Sequence, residues 1–329
     1  MSQNGARNSM RSWTALALAA LLSLSSCGRQ VTGPQPVIHL GILEHSSAIP
    51  IVVAHDEGMF ERHDIHVELK ELSPSEHMPA LLRGDVDVLS PSSFPVIFSA
   101  AQQSPGFIGC YMTGGESLSG DILYGIAVLK TDSSHNSLKD FAGERIGSSS
   151  KFTTANLRNV LRTVFGPSTT TKVVEFGDRS VLLNSLLAHQ LQGAVLDQPA
   201  LALAERRGDI RVVEGNFRAR YIADPYWSGA GVFSERWRSA HGREFGAFLD
   251  SLDDALAAIK KNPVMAREVF SKHFGLEGLP NGAIGMYEYP SARFAPPEKF
   301  TKKLVRSLVE NDFISEGLDV DALFEAVRK

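Results

Sequence analysis

From residue 37 to about residue 200 the chain alternates short apolar runs with helix-like stretches, and this alternation constrains the fold more than any other feature. Val37–Leu43 is a β-branched run and predicts a first strand. Pro50 is placed to open a helix through Ile51–Glu57, closed by Gly58. Ile65, Val67 and Leu69 alternate with His66, Glu68 and Lys70, the pattern of a half-buried strand. Ser73 and Glu76 form a capping box, with Pro74 at the first helical position. Val86–Leu89, Phe107–Met112, Ile122–Lys130, Glu144–Ser148, Lys172–Phe176 and Ala194–Leu196 are the next strand-like runs. Such an order predicts an α/β protein with doubly wound, mostly parallel sheets. Beyond residue 233, Glu244–Lys260, Pro263–Phe274, Pro297–Asn311 and Asp319–Arg328 read as amphipathic helices, a helical C-terminal flank.

An internal echo divides the alternation in two. Leu81–Asp87 followed by Pro91, and Leu187–Asp197 followed by Pro199, both read as helix end, turn, short buried strand and polar loop. One copy in each half predicts two similar α/β lobes.

The N-terminus reads as an export signal. Arg7 and Arg11 precede an uncharged run from Trp13 to Ser26, which is too short to span a bilayer. Leu24-Ser25-Ser26-Cys27 has the residue types of a bacterial lipobox; a plain secretory signal with a chance cysteine is the alternative. Residues 1–26 are expected to be removed, leaving a lipidated Cys27 and a tether over residues 27–36. Acyl chains contribute about 0.8 kcal/mol per buried CH2, so a multiply acylated Cys27 holds a protein at a membrane. The chain has two cysteines, so with Cys27 acylated, Cys110 is expected to be a buried small side chain.

Charge and motifs exclude several function classes. Lys and Arg number 33 against 37 Asp and Glu, a net charge of −4, which leaves no basic excess for nucleic acid. Neither G-x-x-x-x-G-K-[ST] nor G-x-G-x-x-G occurs after a strand. Gly115–Gly120 is one residue too long for a nucleophile elbow, so no catalytic residue is assigned. His63-x-x-His66 lacks the spacing of a known metal motif; neither a metal nor a cofactor is expected.

Polar loops at the carboxyl ends of the expected strands remain, where ligands of open α/β sheets bind. They are Glu44–Ser47, Ser90–Ser93, Ser148–Thr154, Gly177-Asp178 and Asp197–Pro199. The third leads into a helix over Ala155–Val164, and its hydroxyls, backbone N–H groups and Lys151 form an anion site. Some of these Ser and Thr residues must serve as helix caps. Tyr226-Trp227, where the chain should leave the second lobe, reads equally as a ligand-stacking pair or as hinge packing.

These segments resemble, in order along the chain, the nitrate/sulfonate/taurine-type solute-binding proteins of ABC importers (the SsuA/THI5-like, NMT1 group). Val52–Phe60 with Ile65–Val67, Leu81–Asp87, Ser137–Gly147 and Gln192–Pro199 carry the resemblance. It implies a two-lobed periplasmic-binding-protein fold of type II-like form, with two crossing strands and a solute in the cleft. Lobe one would be 37–125 plus 230–329, and lobe two 126–229. The matching cleft positions are His45, Ser46, Ser92, Ser93, Lys151, Thr153, Thr154 and Asp197; apart from the resemblance, Tyr226 or Trp227 would cover the solute's apolar part. The implied role is non-catalytic: a monomeric lipoprotein on the periplasmic face of a membrane, closing on a small solute and delivering it to an inner-membrane ABC permease. The solute is expected to be a small organic molecule, an anion of sulfonate, nitrate or taurine type, with Lys151 and the helix N-terminus holding its charged group. A biosynthetic enzyme or a sensor lipoprotein of the same fold group are the alternatives. Pro91 replaces the aromatic or Gly-rich signature of the family, so the solute's identity is not carried over. Glu44 and Asp197 would oppose an anionic solute unless paired or turned away.

Overall fold

The computed structural model describes residues 36–276, 278–279 and 283–328. The expected signal segment, Cys27 and the tether up to residue 35 lie outside the described residues. Among the described residues no helix is long and apolar enough to cross a membrane.

The unit Val37–Lys329 contains two five-stranded sheets. The strands are β1 (Val37–Ile42), β2 (His66–Glu71), β3 (Val88–Ser93), β4 (Ile108–Glu116), β5 (Tyr124–Leu129), β6 (Arg145–Ser148), β7 (Lys172–Glu175), β8 (Gly193–Asp197), β9 (Ile210–Gly215) and β10 (Tyr226–Ser234). The first sheet has the order β2-β1-β3-β10-β4 and the second β7-β6-β8-β5-β9. The two orders are equivalent, and β3 and β8, the strands of the internal echo, hold the same central place.

Each sheet has a parallel block, β2-β1-β3 or β7-β6-β8, built from the β-branched runs. The remaining strands join antiparallel: β10 to β3 and β4, and β5 to β8 and β9. The chain crosses between sheets over 117–123 and 216–225, so β5 and β10 run against the block each completes. Tyr124 and Gly125 thus belong to the second sheet, and Tyr226–Gly229 to the first, a few residues from the boundaries expected at 125/126 and 229/230.

Local signals explain several element ends. The Ser73 backbone N–H donates to Glu76 Oε2 at 3.3 Å, closing the capping box of the helix Pro74–Arg83. Gly84, with φ of 80°, ends that helix in the left-handed region. β3 is displaced from the expected Val86–Leu89 and runs on through Ser90–Ser93, because β10 pairs with it there: Ser92 faces Ala230 and Ser93 faces Gly229. Ser90–Ser93 is therefore strand rather than loop. The strands β9 and β10 were not expected.

The first sheet and the C-terminal helices share one core, including the stacked pair Phe60 and Phe248. The second sheet has a core on each face, one around Ile146, Leu157 and Phe217 and one around Leu182, Leu186 and Leu201. Cys110 lies on β4, fully buried and free.

Candidate functional site

A cleft of about 1470 Å³ is lined by residues attached to both sheets. Its walls come from the carboxyl ends of β1, β3, β6, β7 and β8, where backbone N–H groups and helix starts converge. Of the expected residues, His45, Ser92, Ser93, Lys151, Thr153 and Asp197 line it. Ser46 does not; it is 1% exposed, and its hydroxyl has no hydrogen-bond partner. Thr154 does not either, because its hydroxyl turns inward to Ser148. Trp227 packs against Phe294, with ring centroids 4.7 Å apart, and is not part of the cleft wall. Tyr226 is fully buried, its hydroxyl 3.5 Å from Asn156 Nδ2. The two aromatics therefore pack the region where the chain re-enters the first sheet.

Sequence reasoning did not find Arg179, Arg218, Tyr124, His77, Tyr287 or Tyr289, which also line the cleft. Arg179 directly follows Gly177-Asp178, so that loop was the available signal. Asp178 caps the helix Arg179–Leu187, its Oδ1 accepting from Val181 N–H at 2.9 Å. This places Arg179 at the helix start, where Nη2 donates to Asp197 Oδ2 at 2.7 Å. The tyrosines Tyr287 and Tyr289 lie in a segment between helices with no periodic signal.

The polar groups are largely committed to one another. Arg218 is 3% exposed in its side chain and meets Glu116 through two hydrogen bonds of 2.8 and 3.1 Å. Its guanidinium lies over the Tyr124 ring, 3.7 Å from the centroid. The Tyr287 hydroxyl donates to the Tyr124 hydroxyl at 2.9 Å, and Tyr289 donates to the Ser47 carbonyl at 3.0 Å. Ser150 accepts from the Thr153 N–H at 3.2 Å and so caps the helix Lys151–Phe165. Lys151 is exposed and has no ion-pair partner among the described residues.

His45 Nδ1 lies 2.9 Å from Ser47 Oγ and accepts from the Ser47 backbone N–H at 3.3 Å; with Nδ1 accepting, the ring proton is on Nε2. Nε2 faces Asp197 Oδ2 at 3.9 Å. Burial holds the His45 imidazole down to about 4 despite Asp197, so it is neutral at pH 7. His77 is likewise pushed down to about 4 by burial. Burial raises the Glu44 carboxyl, helped by Glu71 and opposed by Arg179. Among the described residues no group of three His, Cys, Asp or Glu side chains stands where it could hold a metal ion. His63 instead pairs with Asp254 at 2.9 Å.

A family model described as NMT1/THI5 like matches residues 45–266, a span that takes in every strand but β1. The chain belongs to the NMT1/THI5-like family. Solved structures agree on the fold. The periplasmic aliphatic sulphonate binding protein SsuA of Escherichia coli aligns with a TM-score of 0.66 at 14% identity, over 88% of this chain and 97% of that one. The ligand-binding component of an ABC-type import system from Staphylococcus aureus, solved with zinc bound, aligns at 0.67 and 15% identity, over 90% and 100%. The periplasmic nitrate-binding protein NrtA of Synechocystis PCC 6803 aligns at 0.65 and 12% identity, over 89% and 86%. No curated protein sequence matches the chain significantly. The NMT1/THI5-like chain thus has the periplasmic-binding-protein fold.

Proposed function

We propose that this NMT1/THI5-like protein is the extracytoplasmic solute-binding component of an ABC importer, tethered through Cys27 to the periplasmic face of a membrane. In this reading 37–116 with 226–328 forms one lobe and 124–215 the other, joined by the crossing segments. They close as a monomer on a small solute and present it to a permease. The observation that carries the reading is the cleft, to which both sheets contribute the carboxyl ends of their strands. His45, Ser92, Ser93, Lys151, Thr153 and Asp197 would contact the solute, joined by Arg179 and the tyrosines. The import-system neighbours support delivery to a permease.

Binding without catalysis is supported by the arrangement around His45. Ser47, His45 and Asp197 lie in a row, yet the row lacks the geometry of a hydrolytic triad. Ser47 Oγ stands 2.9 Å from Nδ1, within reach of a nucleophile–base pair, but on the far side Nε2 is 3.9 Å from Asp197 Oδ2, too long for the hydrogen bond that orients a triad base, and that carboxylate oxygen is held by Arg179 at 2.7 Å. An imidazole held near 4 is also too weak a base at neutral pH.

The test is a thermal-shift panel on residues 28–329 with alkanesulfonates, taurine, nitrate, bicarbonate, pyrimidines and flavin precursors. A solute at ~1,000 times its Kd stabilises by about 4 kcal/mol, a shift of several degrees. A shift with one chemical class supports capture and names the solute. Turnover of a panel member in place of reversible binding would sink the non-catalytic reading. For the anchor, Cys27→Ala should release the protein from the membrane fraction and abolish labelling by palmitate.

A further inference from the structure

The cleft is larger than its polar centre requires. Ligand pockets of drug-sized molecules span roughly 300–1,000 Å³, and this one is about 1470 Å³. The extra space extends from the polar centre into the first sheet's side, between two helices. Met78 and Leu82 stand one turn apart on the helix Pro74–Arg83, with Leu72 from the preceding strand end. Val96, Ser99 and Ala100 stand one turn apart on the helix Phe94–Gln103. Spacings of three and four residues place each set on one helix face. Those faces line the same cavity as His45 and Asp197, so the space is continuous with the solute's cleft. Val96 is 44% exposed, an apolar side chain facing the open cleft. From Val96 to Gln103 the wall runs about two helical turns, about 10 Å.

The charges at the polar centre limit the other end of the solute. Arg218 is paired with Glu116, Arg179 with Asp197, and His45 is neutral. Glu44, Glu71 and Asp178 also line the cleft, against Lys151 as its one cation without an ion-pair partner among the described residues. An anionic head there would meet surplus acid, and would have to separate an existing ion pair to gain an arginine.

We propose that the solute is amphipathic, with an apolar arm of lipid-like or aryl-alkyl character in the groove between these two helices and a compact head without net negative charge between His45 and Asp197. This rests on the solute-capture reading above and adds the class of solute.

The probe is N-phenyl-1-naphthylamine, an uncharged aryl amine that fluoresces in apolar surroundings, compared with the anionic 1-anilinonaphthalene-8-sulfonate. The expected result is a saturable one-to-one emission rise with the amine, at least about tenfold tighter than with the sulfonate. Straight-chain alkylamines should displace it, each methylene tightening binding about fourfold until the groove is full. Ser99→Trp and Val96→Arg, both at solvent-accessible positions, should weaken the amine at least about tenfold with unchanged melting temperature. No saturable rise, equal affinity for the sulfonate, no chain-length trend, or an unchanged response in both variants would each overturn the proposal. Small-angle scattering separates this from the capture reading. A small polar solute that compacts wild type and Ser99→Trp alike leaves capture standing and removes the arm. Dye binding that both variants lose, with no solute compacting the protein, supports the groove and counts against capture.

Discussion

His45 Nε2 and Asp197 Oδ2 face each other across the cleft at 3.9 Å, one fixed at the end of β1 and the other at the end of β8. With Nε2 protonated, a donor faces an acceptor at a distance too long for a hydrogen bond. A solute hydroxyl or amide placed between them would accept from one and donate to the other, and so join the two sheets. Asp197→Ala and His45→Ala should each weaken the solute by about 1.5–3 kcal/mol, or roughly 10- to 100-fold. Because both act on one solute group, the double variant should cost less than the sum of the singles. Titration calorimetry of the four proteins decides it; strict additivity would mean that the two residues hold separate groups or none.

The two buried histidines set a pH dependence. His45 and His77 are both held down to about 4, against 6.5 when unfolded. The unfolded chain therefore binds more protons between these values, and stability rises with pH through that window. Their stabilisation is fully present above about pH 6.5 and is lost as the pH falls towards 4, by up to about 3 kcal/mol for each histidine. Urea unfolding at a series of pH values should show this slope, and His77→Gln should flatten it by about half. A slope unchanged in that variant would mean that His77 titrates normally.

Arg218 in the second crossing segment and Glu116 at the end of β4 form a buried ion pair where the chain passes between the sheets. Removing one partner leaves the other charged and buried, so Glu116→Ala should lose about 3–5 kcal/mol. Replacing both, as Glu116→Leu with Arg218→Met, should recover most of that loss, because an apolar pair has no charge to desolvate. Denaturant midpoints of the single and double variants test this. A double variant as unstable as the single would show that the pair itself, and not the stranded charge, holds the crossing together.

The parallel blocks of both sheets were legible because β-branched runs bounded by Gly, Pro and caps carry them, as at Val37–Ile42 and at Ser73 with Glu76. β10 was not legible: Tyr226–Ser234 is buried throughout, but two glycines and two serines interrupt its apolar pattern. In the site, His45, Ser92, Lys151 and Asp197 could be placed because each follows a recognisable strand. Arg218 could not, because its partner Glu116 lies 102 residues away and only the crossing of the chain brings them together. The tyrosines Tyr287 and Tyr289 reach the cleft from an irregular segment, where neither spacing nor composition marks a wall residue. The paired arginines matter most, since the sequence reading placed an anion beside Lys151 without them.

Backbone contact between β3 and β10 fixes the position of the Ser92–Ser93 wall, and Gly229 controls it. A Cβ at Gly229 would lie 2.1 Å from the Ser92 carbonyl oxygen, a backbone atom that cannot swing aside. Gly229→Ala should therefore part the two strands where they border the cleft, costing about 1–3 kcal/mol in stability and weakening the solute as well. Gly246 is the matched control. It lies inside the helix Gly242–Lys261, and a Cβ there meets nothing within 4 Å. Gly246→Ala should raise stability by about 0.5–1 kcal/mol, since alanine loses less backbone freedom than glycine on entering a helix, and should leave solute affinity unchanged. Melting curves with and without solute separate the outcomes. If Gly229→Ala lowers the melting temperature but keeps the full solute-induced shift, Ser92 and Ser93 are strand residues that do not touch the solute.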